Sequence, residues 1–357
     1  MILTNRFDPD VRVFKEAKYL VDIDFKVEIL CWDRSETDQV DDETIQGIEI
    51  KRFRVPSRAG SGFKQLPSYF KFIRMCKKYI ENKDYDYLHC HDFDGAIVGI
   101  LTNHKKKEMI FDMHEFYESG RLERLGKSLR LFIHYIQDKS YKIMYVDEIQ
   151  KMNMKSSNLK KLVYLPNYPE YYKFESFKRI PSNKLRIVYT GYVRQYAALK
   201  SLMDAANNNP SISVTINGSG ISYADLKQIE PSYSNTTMTG QYSHEDIAKI
   251  YAETDVLYCV FNVKSKNNNA SLATKFFEAI ITETPMIVNQ GTCMAEFCSK
   301  YNIGYIVDST KTQNIKSVIF NILEDKDNFE KKKNNLSKIK KDYTWENVVN
   351  NLAEVYR

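Results

Sequence analysis

Short β-branched or aromatic runs alternate along the chain with longer amphipathic stretches, and this alternation restricts the fold more than any other feature. The runs are 26–31, 49–54, 85–90, 108–112, 142–146 and 161–165, then 185–190, 213–217, 236–239, 256–261, 285–289 and 304–307. Helical periodicity fills the gaps, as in Val13 to Val21, Tyr69 to Glu81, Ala198 to Asn207, His244 to Thr254 and Lys275 to Thr284. Strands and helices of this size in this order imply parallel sheets with helices on both faces. The opening run, Ile2 to Thr4, is unusually short: it reads either as a first strand whose beginning is cut off or as a thin edge of its sheet.

The runs fall into two series, separated by Pro166, Pro169 and Pro181. Proline breaks helix and sheet interior alike, which puts a domain boundary at about 168–184. At 357 residues the chain is long for one α/β domain and comfortable for two. The expected architecture is α/β: a first Rossmann-like domain over 1–170, a second over 184–340, and a C-terminal helix over 341–357 packing back across the hinge. That helix has its apolar positions at Trp345, Val348, Val349, Leu352 and Val355. Doubly wound halves gather ligands at the carboxyl ends of their strands.

Composition removes several classes. With 43% hydrophobic and 27% charged residues the chain is globular. A net charge of +6 favours an anionic partner without naming one. The six cysteines form no CxxC pair and several lie in apolar runs, so they read as buried thiols of a reducing compartment. No run approaches the ~20 apolar residues of a membrane span, and the first residues turn polar too early for a signal peptide. The expected location is cytoplasmic.

The most informative stretch is Ala270-Ser271-Leu272-Ala273-Thr274-Lys275-Phe276-Phe277-Glu278. Small and hydroxyl residues lead into an amphipathic helix, which exposes backbone N–H groups at its N-terminus, a ready anion site. Lys275 falls in the first turn, where the helix dipole already supplies positive charge; a bound anion resolves that conflict, and a solvated lysine is the plain alternative. Glu278 lies one turn on, on the face of Lys275 and Thr274. It suits a ribose diol, or is a dipole-favoured surface acid. Gly191 ends a strand with Arg194 three residues later, and Arg194 can fork onto a diphosphate or simply face water. Asn217-Gly218-Ser219-Gly220 is a strand followed by a glycine turn, which any tight βα connection would use.

Taken in order, these pieces resemble a family-4 retaining glycosyltransferase of the GT-B superfamily. The matching segments are NRFDPDVRVFKEAKYL (5–20), YLHCHDFDGAIVGIL (87–101), IFDMHEFYES (110–119), YLPNY (164–168), IVYTGYVRQYAAL (187–199), INGSG (216–220), MTGQYSHEDIAKIYAETDVLYCVFN (238–262) and ATKFFEAIITETPMIV (273–288). The resemblance implies two facing Rossmann-like domains with an interdomain cleft, and transfer of a sugar from a nucleotide-diphosphate donor, by default a UDP-sugar. It implies that Arg194 and Lys275 hold the diphosphate, Glu278 the ribose, and Gly191, Gly218 and the amides of Ser271, Leu272, Ala273 and Thr274 the remainder of the donor. It implies that His114 stands at the donor sugar and His91 and Asp92 on the acceptor side, with His114, Arg194 and Lys275 as the catalytic set. The nucleotide-sugar is a substrate, so no cofactor is implied. The sequence departs from the family at Ala270, where many relatives carry an acid, at Tyr192 and Ala197 in place of an arginine and a lysine, and in 5–10, which lacks paired glycines.

Fixed cations and helix dipoles can stabilise a departing diphosphate without a metal, and no metal site is expected. His89-Cys90-His91-Asp92 is the one arrangement that suggests one, with His89 and His91 on one strand face, but no second group of matching spacing accompanies it. Buried structural histidines are the alternative for His91 and His114.

Residues 51–80 contain no Asp or Glu. They hold Lys51, Arg52, Arg54, Arg58, Lys64, Lys71, Arg74, Lys77 and Lys78, interleaved with Phe53, Phe63, Leu66, Tyr69, Phe70, Phe72, Ile73 and Met75. Such a stretch suits the inner face of an anionic membrane and a lipid-linked acceptor, or is a helix with a solvated basic face. No nucleic-acid motif accompanies it. The expected activity is therefore a metal-independent hexosyl- or N-acetylhexosaminyl-type transferase acting on a glycan or lipid-linked acceptor in cell-surface polysaccharide or glycoconjugate assembly. A nucleotide-sugar epimerase and a non-catalytic nucleotide-sugar-binding partner of a related transferase are the competing readings.

Overall fold

A computed structural model of the protein describes residues 1–8, 10–35, 41–58, 62–118, 126–261 and 271–357. The chain forms two compact units: Met1–Pro166 with Val348–Arg357, and Asn167–Asn347.

The first unit holds an eight-stranded sheet. Its strands are β1 (Ile2–Leu3), β2 (Val27–Asp33), β3 (Glu43–Ile45), β4 (Ile48–Arg54), β5 (Tyr87–His91), β6 (Glu108–Met113), β7 (Lys142–Tyr145) and β8 (Leu162–Tyr164). The order is β3-β4-β2-β1-β5-β6-β7-β8, parallel except for β3 against β4. Two features differ from the sequence reading. β1 is central, not an edge: Ile2 pairs with both Leu30 and Cys90, and both residues of the strand are buried. Two residues suffice because neighbours flank them on each side. β3 was not foreseen. It forms a hairpin with β4 through Gln46-Gly47, both at positive φ, as a two-residue turn of the I′ kind requires.

Three helices, Leu66–Glu81, Asp92–Thr102 and Gly126–Lys139, cover one face of this sheet. Phe72, Cys76 and Ile80 from the first, Ala96 and Val98 from the second, and Leu129, Ile133 and Ile136 from the third share a core with Trp32, Phe111 and Ile143. Each Val, Leu, Ile and Phe among them contributes roughly 1.5–3 kcal/mol on burial. The middle helix lies hard against β1 and β5 because its contact residues are glycines. A Cβ on Gly95 would stand 3.1 Å from the Ile2 carbonyl oxygen, and one on Gly99 would stand 2.3 Å from Cys90 Sγ.

The second unit holds β9 (Leu185–Thr190), β10 (Ile212–Asn217), β11 (Thr236–Gly240), β12 (Val256–Cys259), β13 (Met286–Asn289) and β14 (Gly304–Val307). The order is β11-β10-β9-β12-β13-β14, all parallel. Strand order therefore reverses between β9 and β12 here, and between β1 and β5 in the first unit. Those reversals are where doubly wound sheets open a crevice at their carboxyl ends.

The C-terminal amphipathic pattern is two short helices, Trp345–Val348 and Asn350–Val355. Trp345 N donates to Pro169 O at 2.9 Å, within the second unit. Asn351 Nδ2 donates to Tyr164 O at 2.9 Å and Tyr87 Oη to Tyr356 O at 2.9 Å, within the first. No described helix is long and apolar enough to cross a membrane.

Candidate functional site

In the first unit the chemistry gathers at the carboxyl ends of β5 and β6. Their register places His91 beside Asp112, and His114 and Asp92 follow immediately. The helix Val11–Asp22 adds Arg12, set by its cap: Asp10 Oδ1 accepts from Arg12 N and Val13 N. Arg12 then forks onto Asp112, Nε to Oδ2 at 3.0 Å and Nη2 to Oδ1 at 2.7 Å, while Nη1 donates to Leu165 O at 2.9 Å. Asp112 Oδ2 also faces His91 Nδ1 at 3.1 Å and His114 Nε2 at 2.7 Å. The other nitrogen of His114, Nδ1, lies 3.2 Å from Asp92 Oδ2. Asp92 Oδ1 accepts from Tyr117 Oη at 2.9 Å.

His114 is thus an imidazole clamped between two carboxylates. Burial alone would lower its pKa, but Asp92 and Asp112 outweigh burial and raise it well above 6.5. Burial would raise Asp112, yet Arg12 first and His114 second hold it well below the usual carboxylate range. Asp92 is lowered too: His114 and Tyr117 overcome its burial. His91 is lowered by burial, against the pull of Asp112, and stays neutral. Glu16, 3.0 Å from Arg12 Nε, is pushed by burial up to about 8 in spite of that cation. At neutral pH two cations, Arg12 and His114, balance two carboxylates, Asp112 and Asp92.

Exposure separates the sequence-predicted residues. His91 is fully buried, His114 is 18% exposed and Asp92 38%. Asp92 and His114 therefore form the accessible rim of the cluster, and His91 lies behind them, against Asp112 and 3.4 Å from His114 Nε2. Asp92 also sits at φ 61, a left-handed conformation unusual for a residue with a side chain. His89 and His91 do share a strand face, their rings stacked 4.3 Å apart. With Glu16 and Asp112 they bring candidate ligand atoms within 4.8 Å of one another. Arg12 already spans both acids there, and its charge opposes a cation in the same place.

In the second unit the site forms around the carboxyl end of β9. The helix Thr274–Ile281 begins with Ala273 as its N-cap residue, so Lys275 is in the first turn, which carries no acid. Lys275 Nζ donates to Thr190 O at 2.5 Å. It stands 4.2 Å from the centre of the Tyr189 ring and 5.4 Å from that of Phe261. Burial lowers its pKa, and Arg194 adds to that against Cys259 and Glu278. Arg194 is exposed, its guanidinium 6.0 Å from the Phe261 ring centre. Phe261 is itself fixed by Asn289, whose Nδ2 donates to the Phe261 carbonyl at 3.2 Å.

Glu278 is 4% exposed, and lies beside Tyr251 and Tyr242. That burial removes the surface-acid alternative. Tyr251 Oη donates to Lys275 O at 2.8 Å, tying the helix start to the helix Ile247–Ala252. Ser271, Leu272, Ala273 and Thr274 are half-buried and lead into the helix. Ala270 lies outside the described residues. Gly191, at φ +104, leaves room for the ammonium, since a Cβ there would lie 3.4 Å from Nζ. Gly218 has a packing duty: its Cβ would fall 1.9 Å from Gly191 O. The loops after β9, β10 and β11 are laced by Gly191 N to Asn217 O at 3.0 Å and Gly218 N to Gly240 O at 2.7 Å.

Comparison with known proteins fits both halves. Residues 4–147 match the profile described as glycosyl transferase 4-like, and residues 173–342 that of the glycosyl transferases group 1. The chain belongs to the family-4 glycosyltransferases of GT-B type. Among solved structures this transferase is similar to the sucrose-phosphate synthase of Thermosynechococcus elongatus, with a TM-score of 0.80 at 14% identity over 100% of this chain and 97% of that one. Anabaena HepE in complex with UDP-glucose gives 0.73 at 13%, over 99% and 98%. The catalytic domain of starch synthase IV from Arabidopsis thaliana, bound to ADP and acarbose, gives 0.67 at 12%, over 99% and 97%. No curated protein matches by sequence. At these identities the structural likeness carries the GT-B fold.

Sequence reasoning overlooked Arg12, Asp112, Tyr117, Phe261 and Asn289. Two had a signal: Asp112 is two residues before His114, and Arg12 is four before Glu16 on a helix face. Tyr117, Phe261 and Asn289 reach their places only through tertiary packing.

Proposed function

We propose that this glycosyltransferase moves a hexosyl or N-acetylhexosaminyl group from a UDP-sugar to a glycan or lipid-linked acceptor, with retention of configuration. Its setting is the assembly of a cell-surface polysaccharide or glycoconjugate at the cytoplasmic face of a membrane. The observation that carries the donor half is Lys275: an ammonium seated in a helix first turn, at the strand-order reversal of the second sheet, with Arg194 and Gly191 beside it. Two cations and a helix N-terminus at one point cost free energy unless an anion joins them.

In this reading Lys275, Arg194 and the amides of Ser271–Thr274 neutralise the diphosphate as the glycosidic bond breaks, which makes the transfer metal-independent. Glu278 accepts from the ribose hydroxyls, and Gly218 keeps the neighbouring loop close. His114, held as an imidazolium, lends positive charge near the reacting sugar. Both its nitrogens face carboxylates, so a sugar hydroxyl reaches it only in competition with Asp92. Asp92, accessible and anionic, accepts from the acceptor. The acceptor oxygen attacks the face that the diphosphate leaves, and its proton passes to the departing phosphate oxygen. UDP bound to HepE and ADP to the starch synthase, so the base is the first thing to measure.

Isothermal titration of UDP, ADP and GDP, followed by donor hydrolysis and transfer assays with the best binder, tests the reading. Binding with slow hydrolysis and faster turnover on acceptor supports it. Unchanged nucleotide affinity in Lys275→Ala and Arg194→Ala would sink it. Nucleotide binding without turnover on any acceptor would favour the non-catalytic alternative.

A further inference from the structure

Tyr356 reaches the floor of the first unit's cluster from a segment that the transfer chemistry does not use. The helix Asn350–Val355 belongs to that unit, with Leu352 and Val355 buried. Partners distant in sequence hold it there: Tyr19 Oη donates to Asn350 Oδ1 at 3.2 Å, Asn351 Nδ2 to Tyr164 O at 2.9 Å, and Tyr87 Oη to Tyr356 O at 2.9 Å. The Tyr356 ring lies 5.3 Å from that of Phe25 and 5.0 Å from that of Tyr87. Its hydroxyl meets His89 Nδ1 at 2.6 Å in the interior.

Two routes lead from His89 to Asp112. Along β5 the His89 ring stacks on that of His91, 4.3 Å apart and 24° from parallel, and His91 Nδ1 faces Asp112 Oδ2 at 3.1 Å. On the side of the helix Val11–Asp22, His89 Nε2 stands 3.8 Å from Glu16 Oε2, and Glu16 Oε1 stands 3.0 Å from Arg12 Nε. Arg12 in turn forks onto Asp112. Both routes end on the carboxylate whose Oδ2 lies 2.7 Å from His114 Nε2.

Burial holds His89 neutral and Tyr356 protonated. A neutral imidazole has one N–H and one lone pair, and a hydroxyl can meet either. The contact with Tyr356 is the one hydrogen bond of the His89 ring among the described residues, because Nε2 has none. Without it a buried ring would have both nitrogens unmet, which is costly. A ring that turns toward Glu16 to recover a partner leaves its stack on His91 and draws Glu16 from Arg12.

We infer that Tyr356 is a positioning residue for sugar transfer: its hydroxyl sets His89, and through His89 it sets the Asp112 carboxylate that seats His114. It acts through side chains and not on the substrate. The inference rests on the proposed function for its effect on turnover, whereas the link from Tyr356 to His114 needs no substrate.

The test is Tyr356→Phe in the full chain, which keeps the ring against Phe25 and Tyr87 and removes the hydroxyl. Tyr19→Phe is the control, since it removes a hydroxyl that anchors the same segment without touching His89. Each protein is read by transfer kinetics with the donor that binds best, by nucleotide titration, and by an NMR titration of the His114 imidazole. The charged and titratable groups about His114 are Asp112, Asp92, His91 and Tyr117, with Arg12 and Glu16 behind Asp112, and both variants leave all six in place. For Tyr356→Phe the expected kcat is lower by about tenfold to a hundredfold, with donor KM and nucleotide affinity unchanged. Its His114 titration moves toward acid, because Asp112 holds the imidazolium less closely. Tyr19→Phe keeps both kcat and the titration of the wild type. His89→Asn breaks the same link from the other side and is expected to shift kcat and the titration in the same direction, so it decides the matter where Tyr356→Phe does not fold. An unmoved His114 titration overturns the inference. Equal losses of kcat in Tyr356→Phe and Tyr19→Phe also overturn it, since the hydroxyl would then only anchor the segment. A wild type without turnover whose His114 titration still responds to Tyr356→Phe supports the link and counts against the transferase reading alone.

Discussion

Arg12 holds both carboxylate oxygens of Asp112, through Nε at 3.0 Å and Nη2 at 2.7 Å, in the buried floor beneath His114. The pair joins the first helix to β6 and fixes the acid on which two histidines depend. Asp112→Asn keeps the shape and removes the charge, leaving Arg12 buried with one partner fewer. Breaking a buried pair from one side costs about 3–5 kcal/mol, whereas replacing both partners by apolar residues costs less. Urea unfolding is expected to show a large loss for Asp112→Asn and a smaller one for Arg12→Met with Asp112→Leu. An unchanged midpoint in Asp112→Asn would show that the ion pair does not hold this unit together.

The clamped His114 makes stability depend on pH in a definite direction. Its folded pKa is raised, chiefly because Asp92 and Asp112 overcome burial. A raised value means the folded state binds the proton more tightly than the unfolded chain does. The stabilisation is complete below about 6.5, the unfolded value, and is lost as pH climbs through the folded one. His114→Gln cannot hold that proton. The stability difference between wild type and variant should shrink from mildly acidic to alkaline pH, measured as urea midpoints across that range. A difference independent of pH would mean His114 is neutral in the folded protein.

Most strands, and the place of Lys275 in the first turn of a helix, were legible because they are local. Hydrophobic runs of strand length and the small-residue turn before Lys275 are properties of neighbours in sequence. What escaped depends on distance. The hairpin strand β3 has three residues, too few to show a period of two. The central place of β1 follows from flanking strands, not from its own two residues. His91 and Asp112 meet because β5 and β6 pair in register, across twenty-one residues. The cation stretch 51–80 reads as one surface in sequence, yet its first part is a strand with its charges paired.

Lys275 should trade stability for binding. Its ammonium is desolvated, which lowers its pKa and makes the charged form costly in the free protein. Lys275→Met keeps the stem and removes that cost, so the melting temperature is expected to hold or rise. In the proposed donor role the same change would remove a charge-assisted hydrogen bond to the nucleotide, about 1.5–3 kcal/mol, or about tenfold to a hundredfold in affinity. Differential scanning fluorimetry and nucleotide titration on one sample measure both effects. A variant that loses stability while keeping its affinity would move the phosphate site elsewhere.

Gly218 and Gly191 should respond to alanine in opposite ways, although both have positive φ. At Gly218 the added carbon would fall 1.9 Å from Gly191 O and 2.8 Å from Gly191 C. Backbone cannot step aside as a side chain can. Strain from φ +131 and overpacking together are expected to cost about 3 kcal/mol or more. At Gly191 the nearest atoms are Lys275 Nζ at 3.4 Å and Cε at 3.8 Å, the far end of a flexible chain that can give. Gly191→Ala is therefore expected to lose less stability, and in the proposed donor role of Lys275 its damage falls on nucleotide binding, because the added carbon touches the ammonium. Paired unfolding and titration curves separate the two: a stability loss dominates for Gly218→Ala, an affinity loss for Gly191→Ala. Equal stability losses would mean that the loops after β9 and β10 are not packed backbone to backbone.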